Sequence, residues 1–507
     1  MIDKFSLIAV YPEIVLLLMT CVIALVDLLD QDARRTAAYL LSALTLLIVA
    51  FLTCRYALGG DTIYGFGGMA VSDPMGNWLK CFASLATLVM MVYGRPYVSQ
   101  RGMLRGGEWF VLNLLALLGA FVMISGSNFL ILYLGLELLT LASYALVALR
   151  RDHALSLEAA MKYFVLGAIA SGFLLYGLSM IYGATGTLDL DVVSKAVYSG
   201  RFDHQVLTLG LVFVVAAVAF KFGVVPFHMW VPDVYQGAPT AVTLMIGAAP
   251  KLAAFALAMR LLADGLQPLA ADWQQMLALL AIASLLLGNL AAIAQTNLKR
   301  MLAYSTIAQM GFVLLGLLCG VVDGNPVHAA NAYSSAMFYV VTYVLTTLGS
   351  FGVILLLSRE GFESEEISDL AGLNQRSPLY AGIMAVCMLS LTGLPPLVGF
   401  QAKLSIIQAL VNAAQPLAGV GASTGQPLLI ALAVFAVLMS LIGAFYYIRV
   451  IKVMYFDAPV EQTQPIAAPL EVRALLSLNG LAVLLLGILP GALFTLCADA
   501  IRKMLAT

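Results

Sequence analysis

Charge is scarce in this chain. Asp, Glu, Lys and Arg make up only 10% of its 507 residues, against about a quarter in soluble domains. With 62% hydrophobic residues and a mean hydropathy of +0.98, that scarcity excludes a water-soluble fold. Histidine is also rare, with 4 copies. His153 and His204 fall in loops, so no pair is available to hold a haem at mid-membrane. The six cysteines (Cys21, Cys54, Cys81, Cys319, Cys387 and Cys497) form no C-x-x-C pair. They read as small core residues, not as a metal or disulfide framework. There is no Walker A pattern. GFGGMA at 65–70 has the wrong spacing for a dinucleotide site and is read as a loop. A net charge of −1 gives no nucleic-acid footprint. The expectation is therefore a chain with no redox centre, no bound cofactor and no metal. Its N-terminal apolar run is interrupted by Pro12 and Glu13, with no A-x-A site after it, unlike a signal peptide.

What is present is a succession of long apolar runs. A membrane span needs about 20 such residues. On that rule the chain divides into fourteen spans, at 6–28, 36–57, 74–97, 108–126, 128–149, 155–182, 206–235, 239–263, 273–296, 301–322, 328–357, 379–413, 428–455 and 473–497. The predicted fold is an all-α polytopic membrane protein. Spans 7 and 12 are too long or too interrupted for one straight helix: Pro226 breaks the first, and Gly393, Pro395 and Pro396 break the second. Two broken helices five spans apart suggest an internal repeat. Because five is odd, the two copies would be inverted in the membrane, a recognised transporter architecture. The expected units are 1–107 (spans 1–3), 108–265 (first repeat, spans 4–8), 266–455 (second repeat, spans 9–13) and 456–507 (a loop and span 14). The loops 184–205, 358–378 and 456–472 can each hold one small amphipathic helix.

Lysine and arginine set the orientation. Fourteen fall on the side reached after odd-numbered spans, and seven, Arg260 among them, on the other. The positive-inside rule then predicts a cytoplasmic face for the richer side and both termini outside.

Five lysines lie within spans: Lys80, Lys162, Lys221, Lys251 and Lys403. Lys80 is near an end and is expected to snorkel, and Glu13 is similarly placed. Glu137 stands in the middle of span 5, flanked by apolar residues. Lys162 is about two turns into span 6, with Glu158 one turn before it on the same face. Lys221 ends the first half of span 7, Lys251 is at the centre of span 8, and Lys403 is in the second half of span 12. An intramembrane charge costs roughly 2.5–3.5 kcal/mol on insertion scales. Four such lysines together cost on the order of 10 kcal/mol, comparable to the net stability of a whole domain. A chain with no need of them would use leucine. The reading is a proton or cation relay. A buried lysine beside a movable carboxylate suits that task, because separating the pair loosens the lysine's hold on its proton. His228, in the break of span 7, is a candidate for proton uptake. His328 opens span 11, whose polar-aromatic face (Asn331, Tyr333, Ser334, Ser335, Tyr339, Thr342, Tyr343) could hold ordered water.

Three stretches carry a family resemblance: KFGVVPFHMWVPDVYQGAPT (221–240), TNLKRMLAYSTIAQMGF (296–312) and SLTGLPPLVGFQAKL (390–404). They resemble the signatures of the antiporter-like subunits of respiratory complex I, the proton-pumping NADH:quinone oxidoreductase. The same superfamily includes multisubunit sodium/proton antiporters, which is the alternative reading. Within the family the chain is most similar to the subunit N branch, whose mitochondrial counterpart is NADH dehydrogenase subunit 2. It ends after span 14, where the L branch continues, and it has Lys403 where the M branch has glutamate. The resemblance implies that Glu137 pairs with Lys221, that Lys162 belongs to the same cluster, that Lys251 is the central relay lysine, and that Lys403 stands on the exit side. It also implies M-like and K-like neighbours in a membrane arm embedded in the bilayer of a bacterial inner membrane. NADH, FMN, iron–sulfur clusters and quinone would be bound by other subunits.

Overall fold

A computed structural model describes the chain except for residues 1–3, 201–202, 323–324, 359–361, 416–425, 460–465, 467 and 507. Among the described residues, thirteen helices are long and apolar enough to cross a membrane. Span 12 adds a fourteenth crossing made of two shorter halves, Pro378–Thr392 and Val398–Ala413. The others are span 1 (Tyr11–Leu29), span 2 (Thr36–Gly59), span 3 (Pro74–Gln100), span 4 (Glu108–Ser125), span 5 (Phe129–Val147) and span 6 (Ala154–Thr185). Span 7 is His204–Phe222, continued after the break by Trp230–Gly237. Then follow span 8 (Thr240–Gly265), span 9 (Gln267–Ile293), span 10 (Leu298–Leu318), span 11 (Pro326–Leu357), span 13 (Gln426–Phe456) and span 14 (Leu470–Ile488). Spans 8, 10 and 11 are almost wholly enclosed by the rest, while spans 1, 13 and 14 lie at the periphery.

Both breaks are built the same way. Gly223 adopts φ 75° and Gly393 φ 88°, a left-handed turn that a residue with a Cβ rarely takes. In each case the next amide closes the helix end: Val224 N–H donates to Ala219 O at 3.0 Å, and Leu394 N–H to Leu389 O at 3.2 Å. That is the Schellman pattern for stopping a helix, used once in each half of the chain.

The repeat extends well beyond the breaks. Asn128 caps span 5, accepting from Leu130 N–H, and Asn297 caps span 10, accepting from Arg300 N–H. Each forms one isolated bridge, to Asp189 and to Glu366 respectively. Span 4 packs on span 5 through Gly119, and span 9 on span 10 through Gly288. A Cβ on Gly119 would meet Leu139 N and Gly135 O, and one on Gly288 would meet Ala308 N and Tyr304 O. Superimposing Asn128 on Asn297 in the sequence brings Gly119 onto Gly288, Gly135 onto Tyr304 and Leu139 onto Ala308, so both crossings share one register. Spans 4–8 and 9–13 are therefore two copies of one five-helix unit, of opposite sense because five crossings separate them.

Several sequence expectations need correction. Span 14 ends at Ile488, and a separate amphipathic helix, Gly491–Leu505, follows Pro490, which breaks the run. The stretch read as a loop at 65–70 is the turn of a small hairpin, Ile63–Gly65 paired with Ala70–Ser72. Span 8 is interrupted at Ala248, ahead of Pro250. Arg260, counted among the outer loops, is 3% exposed inside the π-helical last turns of span 8, where Asp73 (2.7 Å) and Asp264 (3.3 Å) compensate its charge. The loops expected to hold small helices contain Leu190–Tyr198 in the first and Leu373–Arg376 in the second. Much of the third lies outside the described residues.

Candidate functional site

The last carbonyls of a helix have no intrahelical donor and carry the negative end of its dipole, equivalent to about half an electronic charge. Breaking spans 7 and 12 at mid-depth therefore creates two cation-binding points inside the bundle. Lysines occupy both. Lys251, fully buried on span 8, donates to Phe222 O at 2.8 Å and lies 3.4 Å from Lys221 O. Its ammonium also faces the Trp230 ring, 5.6 Å from the centroid. Lys251 stands in the first turn of the segment Ala249–Ala258, where the dipole of its own helix opposes a cation. The opposing carbonyl end of span 7 favours it. Lys403 donates to Leu391 O and Thr392 O, both at 2.9 Å, and to Ser440 Oγ at 2.8 Å. Leu391 and Thr392 precede Gly393 as Lys221 and Phe222 precede Gly223, so the two lysines hold equivalent carbonyls. They reach them from different elements: span 8 in the first copy, and the second half of span 12 itself in the other. Ser440 on span 13, which donates to Thr392 O at 3.2 Å, takes the place that Lys251 has in the first copy.

Lys221 adds a third ammonium beside the first break. Its Nζ donates to Thr140 Oγ1 at 2.5 Å, while the Thr140 hydroxyl donates to Leu136 O. Glu137 lies one turn before Thr140 on span 5, yet its buried Oε1 has no hydrogen-bond partner among the described residues, the Lys221 ammonium included. The expected Glu137–Lys221 pair is thus open. The lysine head is on the hydroxyl instead. A cavity of about 20 Å³, room for about one water, lies between Thr140, Ser143, Lys221 and Lys251.

The second copy has different chemistry at the equivalent points. In the register set by Asn128 and Asn297, Glu137 becomes Thr306 and Thr140 becomes Gln309. Gln309 donates to Leu391 O and to Tyr447 Oη, each at 3.0 Å, and accepts from Tyr339 Oη. Thr306 and Tyr343 share a hydrogen bond of 2.7 Å. Ser305 is hydrogen-bonded to Tyr447. Tyr339, Tyr343, Gln309 and Ser390 line a further small cavity of about 10 Å³. Of the polar-aromatic face anticipated on span 11, Tyr339 bonds Gln309 and Tyr343 pairs with Thr306. Ser334 and Ser335 donate back to Asn331 O, and Thr342 to Phe338 O. Tyr333 Oη has no partner among the described residues.

Other anticipated residues lie elsewhere. Lys162 is not in the cluster with Lys221. It is 44% exposed on the outer face of span 6, bonded to Asp233 (2.8 Å) and Glu158 (2.9 Å). Asp233, in the second half of span 7, also binds Arg300 of span 10 at 2.7 Å. Depth in the membrane is readable from an apolar run, but the helix rotation that turns Lys162 outward is not. His228 is half-buried in the break, and its Nδ1 has no partner among the described residues. His328, in the turn that opens span 11, has a similarly unpartnered Nε2. Lys80 does not snorkel: it is 1% exposed and held 2.6 Å from Glu13. The packing of spans 1, 3 and 4 closes over it. Thr140, Gln309 and Ser440 were missed, because a hydroxyl or amide in an apolar helix carries no signal until its partner is known.

The comparisons with known proteins concern family and fold. The family described as NADH:quinone oxidoreductase/Mrp antiporter, transmembrane, matches residues 126–429. The NADH-quinone oxidoreductase subunit N of Polaromonas naphthalenivorans is 66% identical over 99% of both chains. Among solved structures, a chain of respiratory complex I from Thermus thermophilus superposes with a TM-score of 0.77 at 32% identity, covering 96% of this chain and 99% of that one. A chain of the Mrp complex from a Dietzia species reaches 0.81 at 21% identity, over 98% and 97%, a likeness of fold alone. By sequence and by architecture, the chain belongs to the NADH-quinone oxidoreductase subunit N family.

Proposed function

We propose that the chain carries protons across the membrane as one subunit of an NADH:quinone oxidoreductase, through Glu137, Lys221, Lys251 and Lys403. The observation that carries this reading is the pair of helix breaks whose terminal carbonyls each hold a buried lysine, Lys251 at one and Lys403 at the other. Moving a carboxylate towards or away from Lys221 changes how firmly that ammonium keeps its proton. Lys251 shares its cavity with Lys221 and its carbonyl ligands with the same helix end, so it is the next acceptor. Gln309, Tyr339 and Tyr447 form a network at the second break, with Tyr343 on the same small cavity, and Gln309 and Lys403 share the Leu391 carbonyl. One charge moved across about 150 mV requires roughly 3.5 kcal/mol, within the range of a single carboxylate–ammonium contact opened or closed at low effective dielectric.

In this reading His228 feeds protons to the first break from the lysine- and arginine-rich side. Lys162, tied to Asp233, links span 6 to the second half of span 7. The chain divides functionally into 1–107, the two repeats 108–265 and 266–455, and 456–507. NADH, FMN, iron–sulfur clusters and quinone are handled by other subunits, with M-like and K-like chains as its neighbours. The membrane is a bacterial inner membrane, with both termini on the outer side.

The test is Lys251→Met, with assembly checked by native gel. Assembled complex in which NADH:quinone turnover and proton pumping fall together supports the relay. Wild-type rates of both in the assembled variant would make the lysines structural.

A further inference from the structure

Between the connection of spans 3 and 4 and that of spans 5 and 6, at the arginine-rich end, lies a cavity of about 210 Å³. It is far larger than the cavities at the two breaks. One water needs only roughly 10–15 Å³ of such space. Four arginines line it, Arg101 and Arg105 from the first connection and Arg150 and Arg151 from the second, against two carboxylates, Glu108 and Asp152. A Cβ on Gly102, in the same wall, would meet nothing within 4 Å, so the cavity is open there.

The four arginines are held differently. The Arg101 side chain is 4% exposed. Its Nε donates to Glu363 at 2.8 Å and its Nη2 to Phe362 O at 3.0 Å, while its guanidinium lies over the Tyr97 ring. Its third nitrogen, Nη1, is buried with no hydrogen-bond partner among the described residues. A buried charged donor left without an acceptor is costly. Arg150 is fixed on the same Glu363 at 2.9 Å. The outer two, Arg105 and Arg151, are 81% and 74% exposed, and stand 3.5 Å from Asp152 and 3.9 Å from Glu108. Charge-assisted contacts are normally near 2.7–2.9 Å, and exposed pairs this loose hold little, so both guanidiniums are available to a better acceptor. With Glu363 counted, arginines still outnumber carboxylates, four to three. His153, in the same wall, is pushed below its ordinary 6.5, first by burial and then by the charge of Arg150.

We propose that this cavity binds a phosphate group, carried by an anionic phospholipid headgroup or free in solution, with Arg101 and Arg150 at its base and Arg105 and Arg151 closing over it. The planar arginine fork matches phosphate oxygens two at a time. A phosphate has charged oxygens pointing several ways, so it accepts from both connections at once, which the flat carboxylates already present do not. Basic pockets between membrane helices on the side rich in lysine and arginine suit anionic headgroups. Span 6, which leaves the cavity after His153, carries an exposed apolar row, Leu157, Met161 and Phe164, along which acyl chains can lie. The bound group ties spans 3 and 4 to spans 5 and 6 beside Glu363, and takes no part in proton movement.

The test uses the assembled complex in phosphatidylcholine proteoliposomes, in two arms. One contains phosphatidylglycerol with a photoreactive group next to its headgroup, and label is mapped on the chain by mass spectrometry. The other contains no anionic lipid, and binding of radiolabelled inorganic phosphate is measured at fixed ionic strength. Each arm compares wild type with Arg105→Gln/Arg151→Gln, which leaves the Glu363 contacts intact; Arg151→Gln alone takes its place if the double variant does not assemble on native gels. The expected result is label on residues 101–108 and 149–155 that falls about tenfold or more in the variant, with label elsewhere on the chain unchanged. That outcome assigns the site to a lipid headgroup. Phosphate binding that the variant loses, without lipid label, assigns it to the free anion. The proposal is overturned if neither probe binds, or if both bind wild type and variant equally. No residue of the relay is altered, so either result leaves that reading as it stands.

Discussion

Thr140, which holds the Lys221 ammonium, and Glu137 stand one helical turn apart on span 5, and the chemistry of the two differs. A hydroxyl such as Thr140 accepts a hydrogen bond from the ammonium but does not neutralise it. A carboxylate such as Glu137 does both, and at about 4 Å and an effective dielectric of about 20 such a pair is worth about 4 kcal/mol. The hydroxyl gives the lysine somewhere to rest while Glu137 is open, so Thr140 is a positioning residue. Thr140→Val keeps the shape and removes the acceptor. Hydrogen bonds to charged groups contribute about 1.5–3 kcal/mol, so pumping and turnover should fall roughly tenfold or more, while Thr140→Ser should stay near wild type. Both are measured as NADH oxidation and acidification in proteoliposomes after a native-gel check of assembly. Equal rates in the two variants would remove Thr140 from the path. At this scale Glu137, Lys221, Lys251 and Lys403 were legible in the sequence, because a lone charge in an apolar run stands out whatever it touches. Lys80 and Lys162 were misjudged because depth in a span does not reveal rotation. The partner of Lys80 stands two spans earlier in the chain, and nothing local points to it.

Helix ends and helix crossings differ in how much of them a sequence reveals, and the reasons are physical. The breaks of spans 7 and 12 were visible because Pro226 and the run Gly393, Pro395 and Pro396 are strong punctuation in an apolar helix, whereas Gly223, at which the first helix stops, was not singled out. The interruption of span 8 at Ala248 was not visible, because there the backbone bends at an alanine. The close crossings of spans 4 and 5 and of spans 9 and 10 were also hidden, since a glycine inside a span looks the same whether it faces lipid or a neighbouring backbone. These crossings make a graded prediction. A Cβ at Gly119 would come 2.3 Å from Leu139 N, and one at Gly288 would come 2.8 Å from Ala308 N, both backbone atoms that cannot swing aside. Gly183 on span 6 has nothing within 4 Å. Overpacking costs typically about 1–3 kcal/mol, and more when the backbone must shift. Gly119→Ala should therefore lower the amount of assembled complex most, Gly288→Ala less, and Gly183→Ala not at all, as read on native gels of matched membranes. Any other order would mean that the two crossings are not the close contacts that hold the repeats together.

At the arginine-rich end of the molecule a carboxylate ties the two halves of the chain together, in addition to the Asp233–Arg300 pair. Glu363, in the connection after span 11, binds Arg101 at 2.8 Å, Arg150 at 2.9 Å and the Tyr97 hydroxyl at 2.9 Å. It thereby joins the second repeat to span 3 and to the loop after span 5. The number of spans and the broken helices announced the repeats, but not this clasp, because its members come from opposite halves of the chain. Burial alone would raise the Glu363 carboxyl above its ordinary value of 4.5, but the hydrogen bonds from Arg101 and Tyr97 and the nearby positive charge outweigh it and hold it lower. A carboxyl held low in the folded state stabilises that state fully at pH above its unfolded value, and the contribution is lost as pH falls through its lower folded value. The stability difference between wild type and Glu363→Gln should therefore be constant from neutral pH down to about 4.5, then shrink on further acidification. Hydrogen bonds to charged groups set its size near neutrality at about 1.5–3 kcal/mol for each one lost. The quantity to follow is the heat-induced loss of assembled complex at a series of pH values. A difference that stays unchanged into acid would show that Glu363 does not act through its charge, and the two repeats would then be held together by the Asp233–Arg300 pair and the packing of spans 8, 10 and 11.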